Sequence, residues 1–303
     1  MKSLATWIRA VRVHQWAKNG LILLPALAAH LGPDPDTVAR LAGAFVSFSL
    51  LASAVYLLND MVDLEHDRAH PVKRKRPLAA GEIGRGAALV GMAGAAVLSL
   101  LLALRLPGGF LQAWLAYLVV TTAYSFWLKR VVVLDVVVLA ALYTVRVVAG
   151  AAAVTVPLSR WFLAFSIFLF LSLALLKRFV ETLGTSSPGA GSEASDDDGE
   201  ATNLAGRGWE SRDGPVLMGL GTASAVASAL VYCLYISGGE VSSLYARPDV
   251  LWLGLPVLLY WLGRVWLLAG RGEVHDDPLL FALRDAASYA VLLVLGLTVG
   301  LAL

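Results

Sequence analysis

Stretches of about 20 apolar residues recur along this chain, the length a helix needs to cross the hydrocarbon core of a bilayer. Nine are read at approximately 17–35, 41–62, 88–106, 109–128, 132–154, 158–180, 214–237, 249–269 and 286–303. A water-soluble domain has no use for so many. Of the 303 residues 58% are hydrophobic and only 15% charged, whereas an ordinary soluble domain carries about 25% charged residues. The predicted fold class is all-α: a polytopic membrane protein with about nine transmembrane helices. Leu106-Pro107-Gly108-Gly109 and Ser237-Gly238-Gly239 punctuate the spans. The basic, mixed N-terminus lacks the early apolar run of a cleavable signal peptide. Cys233, the single cysteine, lies in an apolar stretch and reads as a small core residue, without a disulfide framework.

The net charge of +2 says little, but its placement says more. With the N-terminus inside, the inner segments hold Lys2, Arg9, Arg12, Lys18, Arg68, Lys73, Arg74, Lys75, Arg76 and Arg85. They also hold Lys129, Arg130, Lys177, Arg178, Arg207, Arg212, Arg271 and Arg284, making 18 of the 24 Lys and Arg residues. The outer segments hold four, Arg40, Arg105, Arg160 and Arg247, while Arg146 and Arg264 fall within spans. Positive charge stays on the cytoplasmic side, so the N-terminus is predicted inside and the C-terminus outside. Residues 184–206 are small, polar and acidic. They cannot bury apolar surface and read as a disordered cytoplasmic loop, with Asp196, Asp197 and Asp198 as a solvated run.

The sharpest chemical signal is Asn59-Asp60-x-x-Asp63-x-x-x-Asp67-Arg68 at the cytoplasmic end of the second span. On a helix, Asp60, Asp63 and Asp67 share one face, and Asn59 lies one turn from Asp63. Oxygen donors in this number suit Mg²⁺, which keeps waters and takes substrate phosphates as further ligands. The bland alternative is an acidic helix end paired with nearby Lys and Arg. His70-Pro71-x-Lys73-Arg74-Lys75-Arg76-Pro77 follows at once. It could cradle a metal-bound diphosphate or be an ordinary positive loop touching lipid headgroups. His70 reads as a capping or structural residue.

Further charge lies in or at the ends of other spans. Asp135 and Arg146, 11 residues apart, fall on one helix face, and an arginine at that depth is costly unless it is paired or faces a polar cavity. The sixth span ends in Lys177-Arg178-x-x-Glu181, the fourth in Tyr124 to Lys129-Arg130, and the first opens with Arg12-x-His14-Gln15-Trp16-x-Lys18-Asn19. Cations from five segments on the cytoplasmic side suggest an anionic, multiply phosphorylated ligand; nothing points to nucleic acid. His275-Asp276-Asp277-Pro278 reads as a helix start.

These motifs together resemble the UbiA superfamily of intramembrane prenyltransferases. The resemblance is carried by Tyr56-x-x-Asn59-Asp60, Asp67-Arg68-x-His70-Pro71-x-Lys73-x-x-Arg76-Pro77, Tyr124-Ser125, Leu134-Asp135, Arg146-x-x-Ala149-Gly150, Pro157-Leu158-Ser159-x-Trp161-Phe162 and Lys177-Arg178-x-x-Glu181. Within the superfamily they look like the decaprenyl-phosphate phosphoribosyltransferase subgroup. The resemblance covers most of residues 10–182 and continues more loosely to 285; the insertion at 184–206 is not part of it.

It implies one UbiA-like helical bundle over residues 1–303, in the plasma (inner) membrane with its active site facing the cytoplasm. It implies transfer of 5-phosphoribosyl from phosphoribosyl pyrophosphate to a decaprenyl-type polyprenyl phosphate, releasing diphosphate, to make arabinofuranosyl lipids for cell-envelope glycans. Mg²⁺ would sit on Asn59, Asp60, Asp63 and Asp67. Asp60, Asp63, Asp67, Lys73 and Arg76 would be catalytic. Lys18, Asn19, Asn59, Tyr124, Lys129, Asp135, Arg146, Lys177, Arg178 and Glu181 would bind substrate. A homotrimer is compatible with the resemblance. Ordinary superfamily members carry a second aspartate-rich motif after the sixth span, where this chain has Lys177-Arg178-x-x-Glu181. That departure weighs against the alternative, prenyl transfer from a prenyl diphosphate to an aromatic or other small acceptor. A transporter of anionic solutes would show internal repeats, and none is evident.

Overall fold

The computed structural model describes residues 3–69, 72–185, 208–274 and 277–303. His70, Pro71, His275, Asp276 and residues 186–206 of the expected loop lie outside them. The described residues form helices α1 (Leu4–Ala10), α2 (Leu24–Ala28), α3 (Pro35–Val62), α4 (Leu64–Ala69), α5 (Arg85–Ala103), α6 (Gly108–Phe126) and α7 (Leu134–Ala153). Then come α8 (Arg160–Thr185), α9 (Gly214–Ile236), α10 (Gly239–Leu244), α11 (Gly254–Gly270), α12 (Pro278–Ala282) and α13 (Ala286–Ala302), with no β-strand among the described residues. Among the described residues, six helices are long and apolar enough to cross a membrane: Pro35–Val62, Arg85–Ala103, Leu134–Ala153, Arg160–Leu183, Ser211–Ile236 and Pro248–Gly270. Helices α6 and α13 stand at the expected fourth and ninth spans; α13 is a shorter apolar helix of 17 residues.

The expected first span differs. Residues Val13–Leu23 form a 3₁₀ helix and only Leu24–Ala28 are α-helical. The polar side chains in this stretch explain the change, because buried polar groups must find partners. The Trp16 indole N–H donates to Ser53 Oγ (3.0 Å) and Asn19 Nδ2 to Ser49 Oγ (3.0 Å), which holds the stretch against α3. Gly150 of α7 admits it closely: a Cβ there would overlap the Ile22 carbonyl.

The chain forms two compact units, Met1–Phe126 with Val145–Leu158, and Trp127–Thr144 with Ser159–Leu303. In the first, α3 packs on α5 through small hydroxyl residues, which let membrane helices approach and hydrogen-bond. Ser47 Oγ donates to the Ser99 carbonyl (2.8 Å), Ser99 Oγ to the Ser47 carbonyl (2.7 Å), and the Trp114 indole to Ser99 Oγ (2.9 Å). An apolar cluster of Leu57, Leu64, Leu78, Ile83 and Ala88, with Trp7 and Met61 against it, fixes the end of α3 and the loop after it.

In the second unit α8 and α9 pack together, and the Trp266 indole of α11 reaches Ser172 Oγ of α8 (3.0 Å). Arg264 grips Asp285 with two hydrogen bonds (2.7 and 3.0 Å), and Asp285 caps α13 through the Ser288 N–H. Burial opposes ionisation of Asp285, but the Arg264 and Ser288 hydrogen bonds outweigh it and hold the carboxyl below its ordinary range.

Candidate functional site: acid–arginine clusters

The first unit gathers two of the three expected aspartates. Helix α3 stops at Val62, Asp63 caps it, and α4 resumes at Leu64. The Asp63 N–H still donates to the Asn59 carbonyl and the Asp67 N–H to the Asp63 carbonyl, so the helical register survives the break. Asp60 and Asp67 consequently fall on one side, 4% and 2% exposed. Arg76 bridges them: one guanidinium nitrogen donates to Asp67 Oδ2 (2.6 Å) and to Asp60 Oδ1 (3.3 Å). Arg12 donates to the same Asp60 oxygen (2.6 Å) and lies over the Tyr56 ring, 4.6 Å from its centre.

Local sequence explains both arginines. Arg76 precedes Pro77, which disfavours a helical backbone there, and its φ of −64° and ψ of 141° are extended. That ends the 3₁₀ turn Lys73–Lys75, and Leu78 and Ile83 pin the far side of the loop in the core. Arg12 has φ +54°, in the left-handed region that side chains rarely adopt. Such strain persists only where surrounding contacts enforce it. Here the Asp60 ion pair and the Tyr56 face supply that enforcement. Lys73 lies half-buried in the 3₁₀ turn, and Asn59 donates to Ser125 Oγ of α6 (3.0 Å), one residue from half-buried Tyr124.

Deeper in the same unit, Arg146 is 7% exposed. Its Nε donates to Asn19 Oδ1 (2.9 Å), another nitrogen to the Tyr117 hydroxyl (2.8 Å), and the guanidinium lies 4.7 Å from the Tyr117 ring centre. Lys18 is buried beside Asn19 in the 3₁₀ helix.

The second unit holds its own cluster. Asp135, in the first turn of α7, is fully buried, and a carboxylate there also meets the positive end of the helix dipole. Arg178 clasps it with two hydrogen bonds, Nε to Oδ2 (2.5 Å) and a terminal nitrogen to Oδ1 (3.0 Å). The remaining nitrogen reaches Glu181 (2.7 Å). The buried Trp209 indole donates to Asp135 Oδ2 (3.0 Å). One residue along, Lys177 donates to Asp277 Oδ2 (2.9 Å), which also accepts from the Tyr143 hydroxyl (3.4 Å), while Asp277 Oδ1 caps α12. Lys129 is half-buried in the 3₁₀ turn Leu128–Arg130. Asp135 and Arg146 share a helix, yet each has its own partners in its own unit.

Three participants escaped the sequence reading. Trp209 follows the acidic segment and belongs to no motif. Tyr117 lies mid-span among apolar residues. Arg12 carried a motif signal but no assigned role. Trp209→Phe keeps an aromatic ring in the buried slot, removes the donor to Asp135 and gives up part of the indole volume. A hydrogen bond to a charged group contributes about 1.5–3 kcal/mol, so the detergent-solubilised variant is expected to melt several degrees lower. An unchanged melting temperature would show that the indole N–H contributes nothing.

The aspartates and Asn59 offer oxygen donors, the chemistry a hard divalent cation takes. Asp60 and Asp67 nevertheless already spend oxygens on arginine, and no group of three or more His, Cys, Asp or Glu side chains is set to enclose a metal among the described residues. The donor set fits such an ion only in competition with Arg12 and Arg76.

Several apolar helices and buried acid–arginine clusters, with no strand among the described residues, define a multi-pass membrane protein. It belongs to the UbiA prenyltransferase family, whose sequence profile matches residues 21–182. It is 33% identical to nodulation protein NoeC of Azorhizobium caulinodans, over 98% of this chain and 92% of that protein. It is 39% identical to the uncharacterised protein y4nM of Sinorhizobium fredii over 94% of this chain, but only 53% of that protein. The decaprenyl-phosphate phosphoribosyltransferase of Mycolicibacterium smegmatis is 41% identical over 57% of this chain and 56% of that one. The chain thus spans about half the length of y4nM and aligns with about half of the phosphoribosyltransferase. The same fold appears in a UbiA homolog from Archaeoglobus fulgidus bound to GPP and Mg²⁺, with TM-score 0.67 and 17% identity, covering 94% of this chain and 99% of that one. It appears also in a digeranylgeranylglyceryl phosphate synthase, with TM-score 0.66 and 15% identity, covering 100% of this chain and 99% of that one.

Proposed function

We propose that the protein transfers the 5-phosphoribosyl group of phosphoribosyl pyrophosphate to a polyprenyl phosphate, at the cytoplasmic face of the cell membrane. The observation that carries this reading is the end of α8. Where ordinary family members present a second aspartate motif, this chain has Lys177-Arg178-x-x-Glu181, and the acids around it, Asp135, Glu181 and Asp277, are already engaged by those two cations. Among the described residues, these three carboxylates are therefore not an open pair for a second metal. The identity of 41% to a decaprenyl-phosphate phosphoribosyltransferase supports the same donor and acceptor.

In this reading a polyprenyl phosphate oxygen attacks the anomeric carbon of the ribose. The bond from that carbon to the diphosphate oxygen breaks, and its electron pair leaves with the diphosphate. The attacking phosphate is already an anion, so alignment rather than a base limits it. Magnesium, held by Asp60 and Asp67 with Asn59 and Asp63 as further donors, would neutralise charge on the leaving group. Lys73 and Arg76 bind diphosphate oxygens. Lys18, Lys129, Lys177 and Arg146 are the cations for the 5-phosphate and the lipid phosphate. Asn19 holds Arg146 in place, and Tyr124, Asp135, Arg178 and Glu181 complete the proposed substrate-binding set. The product lipid would feed arabinofuranosyl donors for cell-envelope glycans.

Purified protein in detergent, supplied with Mg²⁺, phosphoribosyl pyrophosphate and decaprenyl phosphate, is expected to release inorganic diphosphate only when both substrates are present. Diphosphate release instead from prenyl diphosphate and 4-hydroxybenzoate would replace this reading with aromatic prenylation.

A further inference from the structure

We infer that Arg12 and Arg76 compete with the divalent cation for Asp60 and Asp67, so that metal enters this site only together with a diphosphate. The inference rests on the reading of Asp60 and Asp67 as the metal-binding carboxylates.

The geometry gives the competition its form. Asp60 Oδ1 accepts from both Arg12 (2.6 Å) and Arg76 (3.3 Å), and Asp67 Oδ2 accepts from Arg76 (2.6 Å). The carboxylate side chains are 5% and 3% exposed, whereas Arg12 and Arg76 are 23% and 29% exposed. The arginines therefore form the outer side of the quartet, and a ligand arriving from solvent meets them first. Two buried carboxylates need counter-charge, and two guanidiniums supply it in full. A bare divalent cation added to this neutral group would leave two uncompensated positive charges in a poorly solvated place. A diphosphate arriving with the metal removes that excess. Guanidinium is also a better partner for phosphate than for a carboxylate that a metal has claimed, because its planar fork matches phosphate oxygens.

Each arginine has a second place to go. Arg12 keeps the Tyr56 face as a cation–π partner when it leaves Asp60. Arg76 is fixed by its backbone before Pro77 and half-open at its head. The carboxylates thus pass from arginine to metal while the arginines pass from carboxylate to diphosphate, and no buried charge is stranded during the exchange.

Equilibrium dialysis of the purified full chain with radiolabelled Mn²⁺ and inorganic diphosphate tests this. For the wild type, Mn²⁺ alone should be retained weakly. Diphosphate should raise the affinity for Mn²⁺ by about tenfold or more, and Mn²⁺ should raise the affinity for diphosphate by the same factor, since coupling is reciprocal. Arg76→Gln should retain more Mn²⁺ than wild type without diphosphate and gain less from it. Arg76→Lys, which keeps the charge but not the fork, should retain bare Mn²⁺ as weakly as wild type and gain somewhat less from diphosphate. Strong Mn²⁺ retention by the wild type without diphosphate, or weaker retention by Arg76→Gln, would overturn the competition. The wild-type comparison needs no variant, so a misfolded Arg76→Gln protein leaves it decisive. Inorganic diphosphate is common to phosphoribosyl and prenyl donors. Loss of phosphoribosyl transfer with the coupling intact would therefore sink only the substrate reading, and the converse result only this one.

Discussion

Asp60→Asn is expected to lower transfer by about three orders of magnitude, equivalent to about 4 kcal/mol of transition-state stabilisation. Asp60 is the acid that both Arg12 and Arg76 contact. In the proposed chemistry it is a principal metal donor. Asparagine keeps an oxygen that can still accept from Arg12, and its volume is the same, so the loop after α3 should remain docked through Leu64, Leu78 and Ile83. The variant should elute from size exclusion like the wild type and retain little Mn²⁺ even with diphosphate. Activity within tenfold of wild type would remove Asp60 from the chemistry.

Arg178→Met carries the largest expected effect on stability. Arg178 is 1% exposed and Asp135 0%, and Arg178 supplies two of the hydrogen bonds to that carboxylate. Removing one partner of a buried ion pair costs about 3–5 kcal/mol, because the other charge is left uncompensated. For a protein of this size that corresponds to a fall in melting temperature on the order of 10 °C. The double variant Arg178→Met, Asp135→Leu removes both charges of the pair and should recover part of the loss, since an apolar pair is often as stable as the ion pair it replaces, while Glu181 and the Trp209 indole each still lose a partner. Thermal unfolding of the three detergent-solubilised proteins reads both effects. A single variant as stable as wild type would mean that Asp135 does not depend on Arg178.

The fold class was legible because hydropathy survives without knowledge of any contact, and six helices long and apolar enough to span a membrane are found among the described residues. The spacing of Asp60 and Asp67 was legible for a similar reason: helical periodicity places them on one side, and that register carries across the break between α3 and α4. The break at Asp63 and the 3₁₀ course of Val13–Leu23 were not. The second depends on Trp16 and Asn19 finding Ser53 and Ser49, partners 37 and 30 residues away. Helical phase alone put Asp135 and Arg146 on one face. Their partners are set by Arg178, 43 residues from Asp135, and by Asn19, 127 residues from Arg146, distances no local pattern encodes. Trp209 gave no signal, since a tryptophan becomes a ligand of a buried carboxylate only through tertiary placement.

The fate of a label on the donor tests the central claim most directly. Phosphoribosyl pyrophosphate labelled in its 5-phosphate is incubated with the purified protein, Mg²⁺ and decaprenyl phosphate, and the product is partitioned between butanol and water. Phosphoribosyl transfer predicts that the 5-phosphate label moves into the lipid phase, while a label in the diphosphate stays in water. A 5-phosphate label confined to water, with a prenyl label from prenyl diphosphate appearing on 4-hydroxybenzoate, would contradict it.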